Sequence, residues 1–157
     1  MRRVIKPMEA KYKDVSKENP FVYYRLDSAA ELKHDMPYAV RELDWHKDLT
    51  VIRKFYARFT DTQINPDEFN QAIGAPLVIM DENEIISLAI PISFRTGETE
   101  IGGVATIPEQ RNKGFCKALI SEMAFRILGS GKAVTLTTEK TNLFMRAAAK
   151  AIGMKEL

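Results

Sequence analysis

Short runs of β-branched, aromatic and other apolar residues recur along the chain, each bounded by charged or turn-forming residues. Runs of this kind predict β-strands. The predicted strands are Phe21–Arg25, Tyr38–Leu43, Leu77–Met80, Ile85–Ile92, Thr99–Ile107 and Ala133–Thr138. Because only short polar turns separate the three strands between residues 77 and 107, we expect these strands to form an antiparallel meander.

Other segments carry apolar residues at steps of three and four, which is the pattern of an amphipathic helix. The first begins at Trp45 and predicts a helix that ends near Thr60. Asn65 and Pro66 suit the N-cap and the first position of a second helix, for which Gly74 is a plausible stop. Further helices are predicted over Phe115–Leu128 and Leu143–Ile152.

The element order predicts the fold class. Between residues 99 and 138 a strand, a helix and a strand follow one another, a crossover that normally makes the two strands parallel. We therefore predict an α/β or α+β domain, with a mixed, mostly antiparallel central sheet flanked by about four helices. A chain of 157 residues fits one domain with its own core. We assign residues 21–157 to that domain and residues 1–20 to an N-terminal arm, for which a short surface helix is the alternative.

Composition and charge exclude several classes of protein. The chain has 23 basic and 21 acidic residues, a balance that does not indicate binding to nucleic acid or to a membrane surface. No apolar run is long enough to span a bilayer, and no hydrophobic segment follows the basic N-terminus as it would in a signal peptide. With one cysteine and two histidines, no metal-ligand spacing is visible. We expect a cytoplasmic protein without a metal.

Candidate chemistry is concentrated at the start of the third predicted helix. A strand is predicted to end at Ile107, a polar loop follows, and Gly114 opens the helix. The first turn of a helix presents unpaired N–H groups and the positive end of the dipole, and glycine lets an anion approach closely. Arg111, Lys113 and Lys117 add positive charge. This is a phosphate-binding arrangement, but it lacks the ending of a P-loop and the three glycines of a dinucleotide fingerprint.

The spacing of this loop resembles the Q/R-x-x-G-x-G/A signature of the GCN5-related N-acetyltransferase (GNAT) superfamily. The corresponding residues are Arg111-Asn112-Lys113-Gly114-Phe115-Cys116. The last position departs from the signature, and we interpret Cys116 as a small packing residue. The preceding strand resembles the Gly-x-Val-x-Thr-x-Pro-Glu pattern of FR47-like members, and the matching residues are Gly102, Val104, Thr106, Pro108 and Glu109.

The resemblance implies that acetyl-CoA is bound by two groups of residues. In the superfamily the loop and the helix start hold the pyrophosphate, which here implies Arg111, Asn112, Lys113, Gly114, Phe115, Cys116 and Lys117. The preceding strand pairs through its backbone with the pantetheine arm, which here implies Val104, Ala105 and Thr106.

A second motif near the C-terminus resembles the last helix of the superfamily, N-x-x-A-x-x-x-Y-x-x-x-G followed by a hydrophobic residue. Asn142, Gly153 and Met154 fall at those spacings, which implies that Asn142 caps the helix and contacts the coenzyme arm. Met145 stands where Ala is usual, and Ala149 stands where Tyr is usual. That Tyr commonly protonates the departing thiolate. Here the thiolate leaves without it, another group or water supplies the proton, or the domain is not catalytic.

Glu100 is the candidate general base. An amine must be neutral to attack a thioester, so a base or a chain of waters must accept its proton. Glu100 lies five residues before Ala105 on the same predicted strand, and a glutamate at this spacing is the base in the histone-acetyltransferase branch. Glu139, after the next predicted strand, is a second candidate. The alternative is that Glu100 is a surface charge at the end of a strand.

The resemblance implies an N-acetyltransferase that uses acetyl-CoA to acetylate a small amine, an amino acid or a protein amine. A non-catalytic acyl-CoA-binding or regulatory domain of this fold and a plain interaction module are the alternatives. Family members usually continue beyond the final Gly-hydrophobic pair with one or two strands, whereas this sequence ends at Leu157. We therefore expect part of the sheet to be absent or supplied differently. An exposed edge would invite a homodimer or covering by the N-terminal arm.

Overall fold

The computed structural model describes residues 19–59, 74–93 and 95–157. Its strands are β1 (Phe21–Leu26), β2 (Arg41–Glu42), β3 (Leu77–Asp81), β4 (Glu84–Ile92), β5 (Glu98–Thr106), β6 (Ala133–Glu139) and β7 (Lys155–Glu156). The α-helices of the described residues are α1 (Leu49–Tyr56), α2 (Phe115–Gly129) and α3 (Leu143–Ala151). The helix predicted to begin at Asn65 and most of the predicted N-terminal arm lie outside the described residues.

The strands form one sheet in the order β2-β3-β4-β5-β6-β1-β7. β5 and β6 are parallel, and every other neighbouring pair is antiparallel. The predicted mixed, mostly antiparallel sheet is therefore confirmed, as is the parallel crossover through α2. The described residues contain three α-helices rather than about four, and one predicted helix falls outside them.

Two predicted elements are shorter in the structure. The strand predicted over Tyr38–Leu43 is reduced to the two residues of β2, and the helix predicted from Trp45 begins only at Leu49. The delay has a local cause, because the Asp44 carboxylate accepts the backbone N–H groups of His46 and Lys47 at 2.8 and 2.9 Å. Such side-chain acceptors compete with helical hydrogen bonds and favour a turn.

The N-terminal strand completes the sheet where an exposed edge was expected. β1 pairs with β6 over its full length, from Phe21 opposite Glu139 to Leu26 opposite Val134. The two-residue β7 then pairs with Tyr24 and Arg25 on the other side of β1. The strand beside β6 is thus β1, which precedes the rest of the sheet in the chain, and β6 is not an edge.

The core lies between the sheet and its helices. α2 contacts four neighbouring strands, β3 to β6, and α3 packs beside α2. Leu119, Ile120 and Ala124 of α2 are fully buried. α1 packs against β4, and its buried residues are Ile52 and Phe55. The start of α2 and the ends of β5 and β6 are held in a fixed relation by this packing.

The sheet splits between β5 and β6, and this split positions the candidate site. The two strands pair only from Glu98 to Glu100, opposite Ala133 to Thr135. Both strands continue further, with β5 paired to β4 and β6 paired to β1. In the described part of the chain, the far half of β5 therefore has a strand partner on one side only.

A bulge in β5 bends the strand at the split. The register between β4 and β5 shifts between Leu88 and Ile90, and Gly103 on β5 has a φ of +57°. A Cβ on Gly102 would lie 2.5 Å from Ile92 Cδ1 and one on Gly103 would lie 2.7 Å from Ile90 Cδ1, so a larger residue at either position requires these isoleucine side chains to shift. The left-handed backbone of Gly103 permits the bulge in β5.

Candidate functional site

A cleft of about 350 Å³ lies between the far half of β5, the start of α2 and the start of α3. Its lining residues are Val104, Ala105, Thr106, Arg111, Cys116, Asn142, Phe144 and Met145. Six of these eight residues belong to the set that the sequence motifs predicted for coenzyme binding. The folding of the chain thus brings the two separate motifs to one cleft.

The loop before α2 opens its backbone toward this side of the molecule. Asn112 and Gly114 both have left-handed backbone, with φ of 63° and 82°. A Cβ on Gly114 would meet no atom within 4 Å, so the space beside the first turn of α2 is open. Gly114 is the N-cap residue of α2 and has no side chain that could accept a hydrogen bond from the first turn. The first backbone N–H groups of a helix also lack intrahelical partners. An anion can reach them directly.

Two side chains hold the loop in this conformation. Tyr38 donates its hydroxyl to the carbonyl oxygen of Lys113 at 2.8 Å, and its ring packs on Phe115 with centroids 4.5 Å apart. Arg111 Nε donates to the carbonyl oxygen of Thr106 at 3.0 Å, which ties the loop to the end of β5. The contribution of Tyr38 had no signal in the sequence, because it contacts a residue 75 positions away.

The basic residues of the loop differ in position. Arg111 lines the cleft, whereas Lys113 and Lys117 are exposed and are not among its lining residues. Lys113 Nζ donates to the side-chain oxygen of Gln110 at 2.9 Å. These charges surround the open end of α2 and make it electrostatically favourable for an anion.

The start of α3 forms the opposite wall of the cleft. Asn142 caps the helix, since its side-chain oxygen accepts the backbone N–H of Met145 at 3.1 Å. Phe144 and Met145 also line the cleft, and motif spacing did not predict either as a binding residue. Ala149 is fully buried. Gly153 ends the helix with a φ of +102°, and a Cβ there would collide with the carbonyl oxygen of Glu31.

Cys116 is buried at the base of the first turn of α2 and lines the cleft. Burial raises the pKa of its thiol from 9.0 to about 11. The cause is the loss of solvent around the sulfur. The thiol is therefore protonated at neutral pH, as a packing residue requires.

Glu100 lies at the apex of the split, on the opposite face of the sheet from α2. It is the last residue of β5 paired to β6. The neighbouring Thr99 lines a smaller cavity together with Met123 and Ile127 of α2, so the alternation of a strand places Glu100 on the other face. Glu100 is 8% exposed and its Oε1 accepts a hydrogen bond from Thr137 Oγ1 at 2.7 Å.

The other predicted base, Glu139, is exposed at the end of β6. Its backbone oxygen accepts the N–H of Asn142, so its main chain serves the turn into α3. Neither Glu100 nor Glu139 lines the cleft. Glu100 differs in that it lies at the last backbone pair between β5 and β6.

Comparison with solved structures identifies the class of fold. An acetyltransferase of the GNAT family from Novosphingobium aromaticivorans superposes with a TM-score of 0.73 at 15% identity, over 87% of this chain and 59% of that chain. A GNAT acetyltransferase from Colwellia psychrerythraea gives 0.74 at 12% identity, over 87% and 52%. The chain thus spans little more than half the length of these two proteins. The aminoglycoside N-acetyltransferase AAC(6')-Iy in complex with CoA gives 0.58 at 19% identity, over 74% and 91%.

The fold is therefore that of the GNAT acetyltransferases. Residues 79–157, half of the chain, match the sequence profile of the FR47-like proteins. The chain belongs to this FR47-like family of the GNAT superfamily, and the matched residues include β4, β5, the loop, α2, β6 and α3. No curated protein matches the chain. None of the helices in the described residues combines the length and apolar character needed to cross a bilayer.

Proposed function

We propose that this chain is an N-acetyltransferase that transfers the acetyl group of acetyl-CoA to an amine. The observation that carries the proposal is a cleft beside the far half of β5, which is lined by residues from both predicted coenzyme motifs. Family membership supports acyl transfer in general, and the structure of a GNAT relative with CoA supports the choice of coenzyme.

The residues present fit the two polar parts of the coenzyme. Between Ile101 and Thr106, β5 pairs with β4 on one side, so backbone groups on its other edge face the split. Such groups need hydrogen-bond partners, and the amides of a pantetheine arm provide them. The open backbone at Gly114, with Arg111 lining the cleft, suits the negatively charged pyrophosphate. Asn142 stands on the opposite side of this cleft.

The chemical roles follow from these positions. The coenzyme supplies an acetyl group activated as a thioester. A backbone N–H of the bulged part of β5 is suited to polarise the acetyl carbonyl. Glu100 accepts the proton of the acceptor amine. The protein also holds the two reactants close together at the end of the β5–β6 pairing, and this proximity contributes to the rate of acyl transfer.

Ala149 gives α3 no hydroxyl at the position where the family commonly has a proton donor. Cys116 has a pKa of about 11 and lies in the first turn of α2, close to the proposed pyrophosphate site. Release of the thiolate in this protein therefore depends on water or on a group other than the usual tyrosine. This departure favours slow turnover, and it is the observation that supports a non-catalytic acyl-CoA-binding domain as the second candidate.

The test combines binding with turnover. Thermal unfolding is measured with and without acetyl-CoA, and release of free CoA is followed on a panel of small amines, amino acids and peptide amines. We expect stabilisation by acetyl-CoA and thiol release with at least one acceptor. Arg111→Gln is expected to weaken binding roughly tenfold by removing one charge-assisted contact. The matched control Arg53→Gln removes the same charge from the exposed surface of α1 and leaves binding unchanged.

The outcomes separate the candidates. Stabilisation by acetyl-CoA without turnover on any amine would identify a non-catalytic acyl-CoA-binding domain. No stabilisation by any acyl-CoA would show that the cleft does not bind the coenzyme and would refute both candidates.

A further inference from the structure

The strongest feature outside the coenzyme cleft is a side-chain hydrogen bond that crosses the split. Thr137 Oγ1 on β6 donates to Glu100 Oε1 on β5 at 2.7 Å. Backbone pairing between these strands ends at Glu100 opposite Thr135. Thr137 is two residues beyond that pair, roughly 7 Å further along β6. The bond therefore directs the Glu100 carboxylate along the strands, toward the part of the sheet where β5 and β6 are no longer paired.

Thr137 is a rigid donor. It is β-branched, so its χ1 is restricted. Its backbone is paired on one side with Tyr23 of β1, and Tyr23 is 4% exposed. The hydroxyl of Thr137 thus has a fixed position relative to the carboxylate. Pairing with β1 on the other side of β6 keeps the backbone of Thr137 in place.

A neighbouring carboxylate on β5 has a separate partner. Glu98 lies two residues before Glu100 on the same strand, and its Oε2 accepts a hydrogen bond from Arg25 Nη1 at 2.6 Å. Arg25 is opposite Thr135 on β6, two residues before Thr137. The two glutamates are therefore held at different points along β5. Glu98 lies where β5 is paired with β6, and Glu100 lies where that pairing ends.

We propose that Thr137 is a positioning residue for this protein's acyl transfer, which holds the Glu100 carboxylate at the split so that it meets the incoming amine. The proposal rests on the proposed function, in which Glu100 is the base. Thr137 does not touch the reacting atoms, and its contribution passes entirely through Glu100.

Three variants test this role. Thr137→Val removes the hydroxyl and keeps the shape of the side chain, and Thr137→Ser keeps the hydroxyl. We expect Thr137→Val to lower kcat roughly tenfold, the effect of losing one hydrogen bond to a charged group, with KM for acetyl-CoA unchanged. Thr137→Ser is expected to restore most of kcat. The control Thr138→Val makes the same change at the next residue, which is equally half-buried and points to the opposite face.

A double-mutant cycle separates positioning from general support of the fold. If Thr137 acts through Glu100, Thr137→Val lowers kcat in the wild type and has no further effect in Glu100→Gln. In parallel, the ¹³C chemical shift of the Glu100 carboxyl is measured by NMR in the wild type and the Thr137 variants. It is expected to change in Thr137→Val, to return toward the wild-type value in Thr137→Ser, and to stay unchanged in Thr138→Val.

Normal kcat in Thr137→Val would overturn the positioning role and leave the proposed function intact. Equal losses of kcat for Thr137→Val in the wild type and in the Glu100→Gln variant would also overturn it, since they would show a role independent of the carboxylate. An unchanged carboxyl chemical shift would refute the hydrogen bond itself. A wild type without turnover on any amine would refute the proposed function and this role with it.

Discussion

Gly114 and Gly131 stand near the two ends of α2 and have almost the same backbone, with φ of 82° and 84°. Both are exposed, and a Cβ on either would meet no atom within 4 Å. They differ in their surroundings, since Gly114 lies between the cleft-lining residues Arg111 and Cys116 and Gly131 lies in the turn before β6. Comparing the two positions therefore distinguishes two reasons for a glycine. One is its left-handed backbone, and the other is the open space that it leaves for a ligand.

Substitution of each glycine by alanine tests that separation. Gly114→Ala and Gly131→Ala are both expected to lose about 1–2 kcal/mol of unfolding free energy, because alanine is strained in left-handed backbone. Only Gly114→Ala is expected to weaken acetyl-CoA binding, by roughly tenfold or more, since its methyl group would occupy the space through which the pyrophosphate reaches the backbone. Urea unfolding and calorimetric titration measure the two effects. Equal affinities in both variants would contradict the placement of the pyrophosphate.

Cys116 gives the protein a predicted pH dependence at alkaline pH. Burial raises the pKa of its thiol in the folded state to about 11, above the ordinary value of 9.0. The folded state therefore retains a proton that the unfolded chain releases. The associated stability is present in full below about pH 9 and is lost as the pH rises toward about 11. We expect the wild type to lose unfolding free energy over this interval more steeply than Cys116→Ala, as measured by urea unfolding at several pH values. Parallel curves would refute the burial of the thiol.

At the scale of elements, the bounds of most strands and helices follow from local sequence. The elements that lie within one or two residues of their predicted bounds are α2, α3, β1, β3, β4, β5 and β6, because charged or turn-forming residues bound each apolar run. β7 was not predicted, since two residues carry no periodicity and pair only with the distant β1. The start of α1 was placed too early because the capping bonds of Asp44 are a side-chain effect that periodicity does not reveal.

The candidate site shows the same division. Both coenzyme motifs are contiguous in the chain, so their residues were predictable, and the structure brings six of them to one cleft. Tyr38 and Thr137 were not predictable as site residues. Each acts through one contact with a residue far away in the chain, and such contacts exist only after the sheet has formed.

The segment between β1 and β2 acts as a support for the coenzyme loop. Tyr38→Phe keeps the ring that packs on Phe115 and removes the hydroxyl that donates to Lys113. We expect acetyl-CoA affinity to fall about threefold to tenfold with the loss of one hydrogen bond. The melting temperature of the free protein should change little, because Tyr38 is half-buried and Tyr38→Phe keeps its ring packing on Phe115. Wild-type affinity in Tyr38→Phe would show that the loop keeps its conformation without this support.

At the scale of the whole molecule, the order of strands explains how the site is built. β1 pairs with β6 and places Tyr23 opposite Thr137 and Arg25 opposite Thr135. The bulge at Gly103 bends β5 beyond its last pair with β6. α2 and α3 flank the cleft on one face, and Glu100 stands on the other. In the proposed function, coenzyme and acceptor approach the end of the β5–β6 pairing from opposite faces.

The most direct test of the proposed coenzyme site is a crystal structure of the protein with acetyl-CoA or CoA bound. We expect the pyrophosphate within hydrogen-bond distance of the backbone N–H groups at Gly114 to Cys116, and the pantetheine arm along Val104 to Thr106. We also expect the sulfur at the split, on the side of β5 that faces β6. A coenzyme bound elsewhere, or no bound coenzyme at millimolar concentration, would contradict the central claim.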